Sequence, residues 1–211
     1  MKKTFWLSGV FACLAVLPAC GGEELNGMET QKALAEPAAT EALGQSSNEL
    51  SVSTNYSYLP FRGGTGGQAV NISCASGYVA SGIHGRAGQY IDRLGLICRA
   101  LRADGSLGPS YDSMPMGGWG GSDFRIECPP SGAIVGFHGA SGDYLDRLGL
   151  ICSSPSAWRS GPWTYYTGAA GGGAGGGFDD KCSQGYMVNL VYTLSAGLVD
   201  GQKAQCVAID P

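Results

Sequence analysis

The chain has 211 residues, a formal net charge of −4 and only 14% charged residues, with 36 glycines and eight cysteines. Most of its acidity is local. Residues 21 to 50 hold six glutamates against Lys32, whereas residues 51 to 211 carry eleven acidic and ten basic groups. A nearly neutral body has no basic stripe for nucleic acid, and about 150 residues suffice for one shared core.

The N-terminus combines Lys2 and Lys3 with an apolar run from Phe5 to Pro18. That run is too short for an ordinary membrane-spanning helix and has the layout of an export signal. It ends in Leu17-Pro18-Ala19-Cys20-Gly21, which resembles a bacterial lipoprotein signal. The resemblance implies a signal peptide over 1–19 and lipidation of Cys20, anchoring the chain without a spanning helix. Gly21 lacks the aspartate that retains some such lipoproteins at the inner membrane, which points to the outer one. Residues 20–54 are rich in Glu, Ala, Ser, Gln and Gly, too poor in large apolar groups to fold alone, and are expected to be a tether.

Residues 55–211 are built on a 54-residue repeat, with units 63–116, 117–170 and 171–211. Gly63-Gly64-Thr65-Gly66-Gly67 returns as Gly117-Gly118-Trp119-Gly120-Gly121 and as Gly171-Gly172-Gly173-Ala174-Gly175. Cys74, Cys128 and Cys182 keep the same step, as do Cys98, Cys152 and Cys206. Gly88-Gln89-Tyr90-Ile91-Asp92 returns as Gly142-Asp143-Tyr144-Leu145-Asp146 and, worn, as Ala196-Gly197-Leu198-Val199-Asp200. The first two units share 18 of 36 positions from glycine loop to second cysteine without a gap, which excludes coincidence.

Six cysteines in an exported body imply disulfides. Of 15 connectivities, threefold symmetry favours Cys74–Cys98, Cys128–Cys152 and Cys182–Cys206. A structural zinc site is disfavoured because no Cys-x-x-Cys element is present. Within each unit the apolar pattern alternates with period two. Val70, Ile72 and Cys74 alternate with Asn71 and Ser73, and Phe124, Ile126 and Cys128 with Arg125 and Glu127. Further strands are expected near Val79–His84 with its equivalents, over Arg93–Leu101, and at Tyr111–Met116 or Thr164–Thr167. Tyr56–Phe61 is expected to pair near Val207–Ile209 and close the ring. No helix is expected in the body. The fold is therefore all-β: a β-prism of three four-stranded antiparallel sheets with pseudo-threefold symmetry.

The paired glycine and aspartate loops resemble the jacalin-related lectins, in their griffithsin-like form. The glycine loop and Cys128-Pro129-Pro130 also resemble the vitelline membrane outer layer proteins, β-prisms that would make the repeats mere scaffold. The lectin resemblance implies a non-catalytic glycan-binding protein for mannose- or glucose-type sugars, with no cofactor and no metal. It further implies that Asp92 works with Gly117–Gly121, Asp146 with Gly171–Gly175, and Asp200 with Gly63–Gly67. A carboxylate suits vicinal hydroxyls because it accepts two O–H bonds. Tyr90, Tyr144 and Trp119 offer ring faces for a sugar's C–H surface. Gly88 and Gly142 are expected to free the backbone, Asp143 to assist, and Gly120, Gly121 and Gly175 to admit close approach. Asp92 and Asp146 are expected to be exposed with spare acceptor capacity. With Ala196 and Leu198 in place of glycine and tyrosine, the Asp200–Gly67 site is expected to be weak. Against this stands the ordinary use of loop aspartates as turn caps.

No Ser-His-Asp set, paired-carboxylate site or phosphate loop is evident, so no enzyme is expected. His84 and His138 recur at one repeat position and become Tyr192 in the third, as on a strand surface. Asp179-Asp180 is a bare acidic pair, insufficient for calcium.

Overall fold

The computed structural model describes residues 49–211. The export signal, Cys20 and most of the expected tether lie outside the described residues. The strands in chain order are β1 (Ser51–Tyr58), β2 (Arg62–Gly63), β3 (Gln68–Ser73), β4 (Tyr78–Ala87), β5 (Ile91–Leu101), β6 (Leu107–Asp112) and β7 (Met116–Gly117). They continue with β8 (Ser122–Glu127), β9 (Ala133–Ser141), β10 (Leu145–Ser153), β11 (Tyr165–Gly171), β12 (Gly176–Lys181), β13 (Tyr186–Ser195) and β14 (Val199–Asp210). One short helix, α1 (Pro155–Ser160), lies between β10 and β11.

Three antiparallel sheets form. The first runs β6-β5-β4-β8, the second β11-β10-β9-β12 and the third β1-β14-β13-β3. Each path has four strands, and the two-residue pieces β7 and β2 add to the first and third sheets beside β5 and β14. The outer strand breaks there because Pro115 and Pro60 have no N–H to give a ladder. In the second sheet the same stretch contains Gly168-Ala169 instead, and β11 runs unbroken.

The first strand of each repeat joins the sheet of the repeat before it: β8 pairs with β4, β12 with β9, and β3 with β13. Each glycine loop therefore links the two outer strands of a single sheet, and the tight turn carrying the aspartate links the two inner strands of that same sheet. The disulfides Cys74–Cys98, Cys128–Cys152 and Cys182–Cys206 are formed. Each pairs the cysteine that ends one sheet's outer strand with a cysteine on an inner strand of the next. Covalent staples thus run around the whole ring.

The sheets curl about one core, where Ile83, Leu94, Leu96, Phe137, Leu148, Leu150, Val188 and Val191 are almost fully buried. Each such side chain contributes roughly 1.5–3 kcal/mol by leaving water. A second cluster, with Leu50, Val79, Val135, Ile151, Trp158 and Ile209, fills the end where the connectors lie.

Two expectations are corrected. The tether does not extend to Thr54: Ser51 and Val52 pair with Asp210 and Ile209, and Leu50 is buried with its N–H on the Ala103 carbonyl. The apolar Leu50 and Val52 give this segment something to bury. The body also contains a helix. Ser154 caps α1, Pro155 stands at its start and Trp158 packs into the second cluster. The expected return of the first strand does occur, with Tyr56 opposite Val207.

Candidate functional site

The three aspartate turns share one construction. The N–H of Gly88 donates to the Tyr90 carbonyl, that of Gly142 to Tyr144 and that of Ala196 to Leu198, each at 3.0 Å. The glycines at 88 and 142 are not left-handed, and a Cβ there would meet only ordinary contacts of 3.4 Å or more. Alanine takes the same turn in the third copy. The expectation that Gly88 and Gly142 free the backbone and expose amides is therefore corrected: their amides are spent closing the turn.

Left-handed backbone is required instead at the two ends of each glycine loop. Gly117 and Gly121 have φ of 120° and 61°, Gly171 and Gly175 of 98° and 77°, Gly63 and Gly67 of 101° and 77°. The second glycine of each loop donates to the backbone carbonyl of an aspartate: Gly118 to Asp92 (2.8 Å), Gly172 to Asp146 (2.9 Å) and Gly64 to Asp200 (2.8 Å). The pairing of aspartates with glycine loops is that expected from the repeats.

The carboxylates lie under these loops. A Cβ on Gly121 would stand 2.6 Å from Asp92 Oδ2, one on Gly175 2.5 Å from Asp146 Oδ2, and one on Gly67 2.7 Å from Asp200 Oδ2. Gly120 likewise has no room for a side chain against Asp92 Oδ1, nor has Gly66, at 2.7 Å, against Asp200 Oδ1. Each aspartate thus sits in a cradle walled by bare backbone. Oδ2 of Asp146 and Oδ2 of Asp200 are buried and receive no hydrogen bond from the protein. Neither of these two oxygens caps a turn.

Exposure separates the copies. Asp92 and Asp200 are half-buried, but Asp146 is only 4% exposed, against the expectation that it would be open. Ala174 occupies the position of Gly120 and Gly66, the one whose Cβ points at the carboxylate. A methyl group stands there in the copy whose carboxylate is buried, and hydrogen in the two whose carboxylates are half-buried.

The cradles also touch one another at one end of the prism. The Gly172 N–H shares a second acceptor, the Gln89 carbonyl, at 3.1 Å. Gly64 packs without room for a Cβ against the Asp143 carbonyl, and Gly118 against that of Gly197. The Asp143 backbone thus packs against the loop of the Asp200 cradle. Tyr90 and Tyr144 lie against each other. Their rings meet edge to face, 5.1 Å apart.

Trp119 is 78% exposed, and the Arg93 guanidinium lies 3.9 Å from its ring centroid. Arg86, unremarked in the sequence, braces this loop by donating to the Gly120 (2.9 Å) and Gly121 (2.6 Å) carbonyls and pairing with Asp123. Its counterparts are Ala140 and Leu194, so misaligned charge among the repeats was the available signal. The Nε2–H of His84 donates to the Ser113 carbonyl and that of His138 to the Thr167 carbonyl, each at 3.1 Å. Burial pushes His138 down, so it is neutral at pH 7. Asp180 is held by Arg62, and Asp179 by Lys181 and Tyr166. Among the described residues no group of three metal-ligating side chains occurs.

The Jacalin-like lectin domain model matches residues 109–151, a stretch that includes the Asp146 turn. The structure resembles Malaysian banana lectin with a TM-score of 0.54 and 17% identity, over 73% of this chain and 99% of that one. A mannose binding jacalin related lectin from Ananas comosus gives 0.54 and 20% over 72% and 98%. Artocarpin, a lectin with mannose specificity, gives 0.55 and 13% over 73% and 99%. The chain has the jacalin-like lectin fold. No curated protein sequence matches it. At these identities the structural likeness concerns the β-prism of the jacalin-related lectins, and the roles of individual side chains rest on the geometry above.

Proposed function

We propose that this protein is a non-catalytic lectin that takes the hydroxyls of mannose- or glucose-type glycans in its aspartate cradles. The observation that carries this reading is the half-buried Asp92 carboxylate, set directly under the bare backbone of Gly120 and Gly121. Asp92 is the principal site because its cradle is open and braced. The Asp146 cradle is narrowed by Ala174. The Asp200 cradle has its full glycine loop but lacks the tyrosine. Single-site affinity is weak, and grouping of cradles at one end raises avidity toward branched glycans.

Display on a bacterial outer membrane through lipidated Cys20 belongs to the same proposal. Its support is the sequence motif together with the direction of β1. Ser51 pairs with Asp210, ten residues along β14 from Asp200, or about 30 Å at strand rise. The chain therefore enters the body at the end away from the cradles.

The test is glycan-array binding by the full chain in detergent, beside the Asp92→Ala/Asp146→Ala double variant. Binding of mannose- or glucose-terminated glycans by the parent, lost in a variant that keeps its thermal midpoint, is the expected result. A folded parent that binds no glycan at high density would return the protein to the scaffold reading.

A further inference from the structure

Beside the glycine loop of the Asp92 cradle lies a groove of about 410 Å³ on the first sheet, lined by His84, Arg86, Arg93, Trp119, Asp123 and Arg125 among others. Two of its three guanidiniums are consumed by neighbours. Arg86 is held by Asp123 and the glycine-loop carbonyls, and Arg125 by Asp112 and Glu127. Arg93 differs. Its Nε donates to the Pro115 carbonyl at 3.2 Å, which fixes the plane of the group, and that plane lies against Trp119. Its two terminal nitrogens take no hydrogen-bond acceptor among the described residues.

We propose that Arg93 and Trp119 form a subsite for an acidic sugar unit, a uronic acid, adjoining a neutral sugar held by Asp92. The inference rests on the reading of the Asp92 cradle as a sugar site. A planar guanidinium fork matches a carboxylate in two parallel hydrogen bonds. The exposed indole offers an apolar face to the C–H side of the ring that carries it. Both groups are joined to the cradle by the chain itself, Arg93 being next to Asp92 and Trp119 next to Gly120. The subsite is confined to this copy. Arg147 is the counterpart of Arg93, but Gly173 stands where Trp119 would be and Ala140 where Arg86 would be.

The experiment is titration of the full chain, in detergent, with matched pairs of mannose-type disaccharides in 1→2, 1→3, 1→4 and 1→6 linkage. One member of each pair is neutral, and the other carries a carboxylate at C6 of its second ring. For at least one linkage the acidic member is expected to bind about tenfold tighter at low ionic strength, with the advantage shrinking in 0.5 M salt. Arg93→Gln erases that ratio while leaving neutral binding in place, Trp119→Gly reduces it, and Arg147→Gln leaves it unchanged. Neutral binding with a ratio near one across all linkages overturns the subsite alone. A ratio that survives Arg93→Gln does the same. Loss of all binding in the parent removes the cradle reading and the subsite together.

Discussion

The Asp92 and Asp146 cradles descend from copies of one 54-residue unit, with turn, aspartate and the strand that follows nearly identical, yet they present different surfaces. At Asp92 the glycine loop is intact, its carbonyls are tied down by Arg86, and Trp119 projects from its centre. At Asp146 the loop reads Gly-Gly-Gly-Ala-Gly, nothing corresponds to Arg86, and the carboxylate is 4% exposed. The backbone scheme is common to both: the turn closes on itself, and the aspartate carbonyl receives the loop's second N–H. Repetition thus preserves the frame, which depends on backbone hydrogen bonds, while the walls are free to diverge. The Asp200 cradle makes the same point from the other side. Its Ala196 is harmless because the turn never required glycine, so Leu198 is its one lesion.

The largest effect should abolish the comparison by removing the shared frame. Cys128 ends a strand of the Asp92 sheet and Cys152 lies in the Asp146 sheet. Replacing both by alanine is expected to cost roughly 3–4 kcal/mol in urea unfolding, from the entropy of the opened loop. Next comes the contrast between the carboxylates. Asp92→Asn should weaken binding of a mannose-type ligand about ten- to hundredfold in calorimetric titration, the worth of hydrogen bonds to a charged acceptor. Asp146→Asn should change it less than about threefold. Exchanging the wall residue should then move the sites toward each other: Gly120→Ala lowers affinity at Asp92 severalfold, and Ala174→Gly adds a measurable site at Asp146. If Ala174→Gly leaves stoichiometry and affinity untouched, the methyl is not what closes that cradle. A smaller effect, about threefold at Asp92 alone, is expected for Arg86→Ala, which unfastens the loop without touching the carboxylate.

Acid should act on the two sheets alike. Arg125 holds Asp112 of the first sheet below the ordinary carboxylate value of 3.8, and Lys181 with Tyr166 does the same for Asp179 of the second. Groups depressed on folding stabilise fully above that value, and their contribution is lost as pH falls through the lower folded values. All are well exposed, so screening keeps the effect small. Thermal midpoints should hold between pH 7 and 5 and fall modestly below pH 4. A fall centred near pH 6 would point to the half-buried His138 instead.

Much of this fold was legible because three separate motifs kept one spacing. Once Cys74, Gly63 and Asp92 each recur at the same step, symmetry favours the disulfide pairing, while the facing of loops came from the lectin resemblance. The transfer of each first strand to the preceding sheet was not legible, since alternation at Phe124 and Ile126 says which face is buried and not which neighbour is paired. The helix after Ser154 is too short to show a helical period, although Ser154-Pro155 marks its start. Leu50 and Val52 were hidden in a polar stretch. In the site, two glycines repeated at 88 and 142 suggested a conformational need that Ala196 already denied. Ala174 was visible as the one break in the glycine pentads, but its consequence depends on where its Cβ points.

The most direct test of the cradle account is a crystal structure of the protein soaked with methyl α-mannoside. The expected result is a sugar at Asp92, two adjacent hydroxyls within hydrogen-bond distance of the carboxylate and the ring lying along Gly120 and Gly121. Sugar bound elsewhere with Asp92 untouched, or an empty Asp92 cradle at saturating ligand, would contradict it.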